Sequence, residues 1–183
     1  EPVRAVVHLG VMHDPRVSAE TRHAWNVEGF GRVLEYVAGQ GIRKLVLLSS
    51  AAVYGARPDN AQFLLEDAPL LASGRVSDIR DLVELDMLAQ TFFWRAPDCE
   101  TVILRPSFIV GEVHNEIYSY FRLPLTPRLL GFDPMMQFVH EADVVQALRL
   151  ALRPGVRGIF NVGGPGVLAY GTVYLLIVFS ASW

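Results

Sequence analysis

Ser49 and Ser50 stand at the end of a short apolar run and just before a turn of small residues, the pattern in this chain best suited to chemistry. The run, Lys44 to Leu48, lies inside the stretch IRKLVLLSSAAVYG from Ile42 to Gly55. It is continuous rather than alternating, the mark of a strand buried on both faces of a parallel sheet. The carboxyl ends of such strands are where open α/β sheets bind ligands. Two hydroxyls at that edge, beside Ala51 and Ala52, leave room for a substrate and offer it hydrogen bonds, and Tyr54 with Gly55 closes the turn. The same residues could also finish an ordinary sheet edge.

Few other side chains compete for a chemical role. His8 lies within an apolar strand and reads as a satisfied core histidine, and His13, Asp14 and His23 lack metal-ligand spacing. No metal site is expected. His140 and Asp143 suit the start of a helix, where an acceptor satisfies free backbone N–H groups. Arg105 could meet a phosphate or pair with a carboxylate at the sheet edge. Lys44 is the only lysine, so the positive charge is almost all arginine. The net charge of −3 points to neither nucleic acid nor an anionic membrane as a partner. One cysteine, Cys99, excludes an internal disulfide and a cysteine-based zinc site, and fits a cytoplasmic protein.

The elements that must position these residues follow from periodicity. Arg4 to Leu9 reads as a strand, His13 to Gln40 as a helix with Val27, Phe30, Val33, Leu34 and Val37 on one face, and Ile42 to Ser50 as the next strand. Arg57 to Arg75 is a loop. Val76 to Arg95 is the longest helix, with Ile79, Leu82, Val83, Leu85, Met87, Leu88 and Phe92 as a broad apolar stripe. A strand at Glu100 to Leu104 follows. Glu112 to Pro134 is irregular, with a short helix near Ile117 to Phe121. Met136 to Val139 reads as a strand, Glu141 to Leu152 as a helix and Gly158 to Val162 as a strand, before a glycine turn from Gly163 to Gly166. Val173 to Phe179 reads as a buried strand, since a membrane span needs roughly 20 apolar residues. Strands alternating with helices imply one α/β domain over 1–183, with a parallel sheet covered on both faces. At 183 residues, half of them hydrophobic, the chain can build a sizeable core. It opens on Glu1-Pro2 with a strand at once, so no secretory leader is expected.

Six segments, in order and spacing, resemble one family. Val6 to Gly10 resembles its VxHLAA strand end, Asn26-Val27-Glu28-Gly29 its NVxGT helix start, and Ser49 to Gly55 its strand-and-turn signature. Glu66-Asp67-Ala68-Pro69 resembles an acidic-proline loop, Leu104-Arg105-Pro106 with Gly111 an LRPxxVYG segment, and Phe138 to Asp143 an FVHVxDV segment. Over roughly residues 3 to 170 the chain is similar to the extended short-chain dehydrogenase/reductases of the NAD-dependent epimerase/dehydratase group. The resemblance implies a Rossmann-type fold binding NAD or NADP, a small-molecule partner of nucleotide-sugar type or another alcohol, and a possible homodimer. It implies that 112–135 and the part after 160 belong to the substrate region. It also implies that the glycine fingerprint cradling the diphosphate lies about sixty residues before the HLAA-like strand. The first strands of the sheet are therefore expected to be missing from this chain. If the chain is complete as given, an open sheet edge results, which a partner would have to cover.

In that family a tyrosine moves the substrate hydroxyl proton while a hydride passes between the carbinol carbon and the nicotinamide. Free tyrosine has a pKa of about 10, and a lysine four residues on lowers it and binds the cofactor ribose. Matching Y-x-x-x-K-x-x-x-E by its acidic residue sets Val76 at the tyrosine, Arg80 at the lysine and Glu84 at the last position. Valine cannot carry a proton, and arginine is a wide planar fork rather than a compact ammonium. No Tyr-x-x-x-Lys occurs anywhere; Tyr118-x-x-x-Arg122 is the nearest imitation. The resemblance makes Ser50 the catalytic hydroxyl, and makes Gly10, Ser49, Arg80, Pro106 and Ser107 the cofactor-bordering positions. Two functions stay open: an epimerase, dehydratase or reductase impaired at Val76 and Arg80, and a dinucleotide- or partner-binding protein without chemistry.

Overall fold

The computed structural model describes residues 3–14, 16–57, 60–61, 63–72, 77–112 and 133–173, with the side chains of 77–78 excepted. Val76, most of the expected substrate segment and the apolar run after Val173 lie outside the described residues. Four strands form the main sheet: β1 (Val6–His8), β2 (Lys44–Leu48), β3 (Glu100–Pro106) and β7 (Gly158–Val162). They lie in the order β1-β2-β3-β7 and all pairs are parallel. Parallel neighbours need crossovers, and helices supply them.

The first crossover is a continuous helical stretch built of α1 (Ala19–His23), a π-helical turn (Ala24–Glu28) and α2 (Gly29–Gly39). Ser18 caps it, its hydroxyl accepting from Thr21 N at 3.2 Å. The second is α3 (Ser77–Arg95), and the third ends in α4 (Glu141–Ala151). Alternation along the strands divides the core into two layers. Leu45, Leu47 and Ile103 face α2 and α3, meeting Phe30, Leu34, Val37, Leu85, Ala89 and Phe92. Val46, Val102 and Leu104 face the other way onto Ala151, Ala147 and Leu148 of α4. The sheet is therefore covered on both faces, as a Rossmann-type α/β fold requires.

Smaller pairings lie beyond the carboxyl edge. β4 (Phe108–Val110) pairs in parallel with β6 (Phe138–His140), and β5 (Met135–Met136) pairs antiparallel with β8 (Leu168–Ala169). The single strand expected at Met136 to Val139 is thus two, divided at Gln137. Gly163 and Gly164 form the expected turn: a Cβ on Gly164 would sit 2.5 Å from the Phe138 carbonyl oxygen, so the approach of the two chain segments demands glycine. Residues 170–173 are already helical, so Val173 does not begin a strand. The first helix starts at Ala19 rather than near His13, because Asp14 and Arg16 close the intervening loop with paired side-chain bonds at 2.9 and 2.7 Å.

The lone lysine has a structural place. Lys44 is 6% exposed and donates to the carbonyls of Arg153 and Val156 at 2.9 and 2.8 Å, just past α4. Its Nζ also lies 2.7 Å from the Glu100 carboxylate. The Glu100 carboxyl is held below its ordinary range by that bond and by the Gly155 N–H.

Candidate functional site

β1 ends at His8 and is followed by a loop before α1, and β2 ends at Leu48 just before the short helical turn Ala51–Tyr54, so the carboxyl edge of the sheet collects loop and turn residues. In the ladders His8 lies opposite Leu47, and Leu48 opposite Leu104. Continuing these registers brings Gly10 beside Ser49 and Ser50 beside Pro106. A Cβ on Gly10 would meet nothing within 4 Å, so the edge is open above β1. Ser50 caps the short helical turn Ala51–Tyr54, its Oγ accepting from Ala52 N at 3.1 Å, which leaves its hydroxyl hydrogen to point outward. Ser107 N donates to Val162 O at 2.9 Å, and its buried Oγ has no partner among the described residues. The turn closes through Gly55 at φ 79°, where a Cβ would come within 3.1 Å of Ala72.

Ser49 faces inward and belongs to a buried polar network. Its Oγ donates to Asp86 Oδ2 at 2.7 Å. Arg105 binds the same carboxylate as a fork, Nε to Oδ2 at 2.9 Å and Nη2 to Oδ1 at 2.7 Å. Arg105 is 1% exposed and Asp86 0%. The guanidinium also donates from Nη1 to Tyr54 Oη and to the Glu66 carbonyl. Tyr54 Oη donates in turn to Asn161 Oδ1 at 2.7 Å, and Glu66 Oε1 accepts from Asn161 N. Burial alone would lower the Arg105 pKa; the Asp86 bonds and charge, with Tyr54, outweigh it and hold the group above its ordinary value. Of the two partners open to Arg105 in the sequence, the structure selects the carboxylate. Tyr54 has its hydroxyl engaged on both sides. A cavity of about 720 Å³ lies beside this network between the 66–70 loop, α3 and the start of β7, and none of Gly10, Ser50 or Ser107 lines it.

A second buried carboxylate sits nearer the start of α3. Asp81, 2% exposed, accepts from His23 Nδ1 at 2.9 Å and from Asn26 Nδ2 at 3.3 Å. Asn26, in the π-helical turn, grips the backbone of Met12 at both ends: Met12 N donates to its Oδ1 at 2.7 Å, and its Nδ2 donates to Met12 O at 3.1 Å. Arg80 points outward, half exposed, with Nε 3.7 Å from Glu84 Oε1. His8, by contrast with its expected satisfied state, has a buried Nε2 with no partner among the described residues, and desolvation lowers its pKa despite a Gly10 hydrogen bond. His140 caps α4, its Nδ1 accepting from Ala142 N at 3.1 Å, and Asp143 lies in the first turn.

The carboxylate of α3 that reaches the sheet is therefore Asp86, while Glu84 is partly exposed on another side. Two residues along a helix turn the side chain by about 200°. The spacing Y-x-x-x-K-x-x-x-E counted back from Asp86 lands on Leu82 and Asp78 instead of Arg80 and Val76, and neither pair holds a tyrosine or a lysine. Asp81, Asp86, Glu66 and Asn161 carried no role in the sequence reading. One signal was there: two aspartates inside the apolar stripe of a helix, whose burial requires partners.

A model of the NAD dependent epimerase/dehydratase family matches residues 1–163. An uncharacterized protein of Mycobacterium tuberculosis H37Rv is 30% identical over 128 residues, which cover 69% of this chain and 34% of that protein. A dTDP-glucose 4,6-dehydratase of Streptomyces venezuelae, solved with NAD bound, superposes with a TM-score of 0.79 at 22% identity, covering 98% of this chain and 57% of that one. A UDP-glucose 4-epimerase of Thermus thermophilus in complex with NAD gives 0.76 at 22% identity, covering 97% and 62%. The chain thus spans about a third of the curated relative it matches and little more than half of these solved chains.

Proposed function

Because the chain belongs to the NAD-dependent epimerase/dehydratase family, we propose that it forms the carboxyl-terminal part of a Rossmann domain, with part of a substrate region, in an NAD(P)-binding protein. Its substrate class is a nucleotide sugar or a similar alcohol or carbonyl compound. The observation that carries this reading is the alignment of Gly10, Ser49–Ser50 and Pro106–Ser107 along the ends of adjacent parallel strands. The residues fit a dinucleotide there: Gly10 offers open backbone, and the Ser107 hydroxyl is a buried group still lacking a partner among the described residues. When bound, the nicotinamide supplies a hydride acceptor or donor. Ser50 donates its hydroxyl hydrogen to the substrate oxygen, while Ser49 braces the strand end through Asp86. Proton transfer is impaired in this reading, since no tyrosine stands at either register of the dyad. Exposed Trp25 and Tyr36 on the first crossover and Met87 and Trp94 on α3 support a homodimer. Among the described residues no helix is long and apolar enough to cross a membrane. Cys99 is a free, buried thiol, which suits a cytoplasmic protein.

A non-catalytic binding role is the second reading, and the outward Arg80–Glu84 pair favours it by directing that cation away from the sheet edge. Titration of the full-length protein with NAD and NADP, followed by the Val76→Tyr/Arg80→Lys double change, separates the two. Gain of redox activity on sugar nucleotides is expected if the substrate site is intact. Cofactor binding without any gain, in this pair and in Asp78→Tyr/Leu82→Lys, supports the binding role. Absence of binding to either dinucleotide would overturn the family-level reading of the site.

A further inference from the structure

The Asp81–Asn26 contact belongs to no part of the strand-edge site above, yet through Asn26 it is joined to the segment leading out of that edge. Asp81 divides its two oxygens, Oδ1 to His23 and Oδ2 to Asn26. A carboxylate only accepts, so Asn26 must turn its NH₂ group toward Asp81. That orientation aims Asn26 Oδ1 at Met12 N and leaves the NH₂ to reach Met12 O as well. A flipped amide would set NH₂ against the Met12 N–H and lose both bonds. The π-helical turn Ala24–Glu28 brings Asn26 round to this position, a widened turn of the kind that recurs at functional sites. The same loop is tethered farther on by Arg22 Nη1, which donates to Val17 O at 2.6 Å.

We propose that Asp81 is a positioning residue: acting through Asn26, it sets the backbone of Met12, and with it the Gly10–Met12 segment along which a dinucleotide lies. The last clause rests on the family-level reading above; the hold on Met12 does not. An apolar pair would pack the first crossover against α3 at least as well, since burying a charge carries a large desolvation penalty. What the carboxylate adds is direction. It fixes which end of one amide faces the loop, and His23 holds the carboxylate from its other side, with Glu84 Oε2 3.8 Å from the far ring nitrogen.

The test compares backbone amide exchange at Met12 with dinucleotide affinity in the full-length protein, using NAD as the probe. Asp81→Leu is expected to speed Met12 exchange by about tenfold or more, the loss of one charge-assisted bond, and to weaken NAD binding. The amides of β2 and β3 stay protected. Should Asp81→Leu fold poorly, the reciprocal exchange decides. Asn26→Asp alone sets two carboxylates face to face and loses Met12 protection. Adding Asp81→Asn restores a donor toward residue 26 and recovers the protection of the Met12 N–H, which a carboxylate at 26 still accepts, while the Met12 carbonyl alone loses its donor. Unchanged Met12 exchange in Asp81→Leu, or no recovery in the exchanged pair, overturns the proposal. Faster Met12 exchange with unaltered NAD affinity also overturns it, reducing the contact to fold stability. A wild-type protein that binds no dinucleotide removes the family-level reading alone, and the Met12 comparison still decides whether Asp81 sets the loop.

Discussion

Asp81 and Asp86 lie a little over one turn apart on α3, and both are buried, yet their surroundings differ in kind. Asp86 meets a permanent cation in a two-pronged bond and a serine hydroxyl, with Gln90 as a further donor. Asp81 meets a histidine, one-third exposed, and a side-chain amide. The first arrangement joins α3, β2, β3 and the 66-to-161 contact into one closed unit, every member paired. The second joins α3 to a loop, with groups that can exchange partners. A fully answered ion pair suits a part of the molecule that must not move. A carboxylate shared between a partly exposed histidine and an amide suits one that holds the shape of a loop.

The strongest way to break this contrast is Asp86→Ala, which leaves Arg105 charged and buried without its counter-ion. A loss of about 3–5 kcal/mol in unfolding free energy is expected, a large share of ordinary stability. Asp81→Ala, which leaves no buried permanent cation behind, is expected to lose about 1–3 kcal/mol by the same denaturant titration. Equal losses at the two positions would end the distinction. Replacing both charges of the stronger pair, Asp86→Leu with Arg105→Met, should regain part of the stability, because an apolar pair needs no desolvation while Ser49, Tyr54 and the Glu66 carbonyl each lose a partner.

A smaller effect sharpens the picture of the closed unit. Tyr54→Phe removes a donor to Asn161 and an acceptor from Arg105, and about 1–2 kcal/mol should disappear. Loss of that size with the 64–72 loop still protected from proteolysis would show the network to be held mainly by Asp86. The smallest effect is a pH dependence at the open edge. Burial keeps the folded pKa of His8 below 6.5, so between that value and 6.5 the unfolded chain holds a proton that the folded chain does not. Stability therefore rises with pH across that window and is complete above 6.5. His8→Leu should flatten this limb, as seen by comparing melting temperatures on either side of 6.5; an unchanged slope would mean that the burial of His8 has no bearing on stability.

Much of the fold was legible from local pattern. The continuous apolar runs at 44–48 and 100–104 announced buried parallel strands, and they are the two central strands of the sheet. The stripe of α3 was legible too, but not its rotation. Asp81, Glu84 and Asp86 look alike in sequence, and a small turn of the helix decides which one reaches Arg105. The serine pair at a strand end was visible in the sequence, whereas its division of labour was not: Ser49 turns inward to Asp86 and Ser50 caps the turn. Lys44 stood out as the lone lysine, and nothing near it in the chain foretold its bonds to Arg153 and Val156.

By itself the sequence determined the alternation of strands and helices, the family and the absence of a Tyr-x-x-x-Lys pair, because each of these is written in residue types at short, fixed spacing. Only the tertiary structure decided which carboxylate answers Arg105, which hydroxyl of the serine pair stays open, and that Asn26 and Asp81 hold the loop beyond Gly10. Those outcomes join residues tens of positions apart. They depend on helix rotation and on the need of every buried charge and amide to find a partner, and neither is recorded in local spacing.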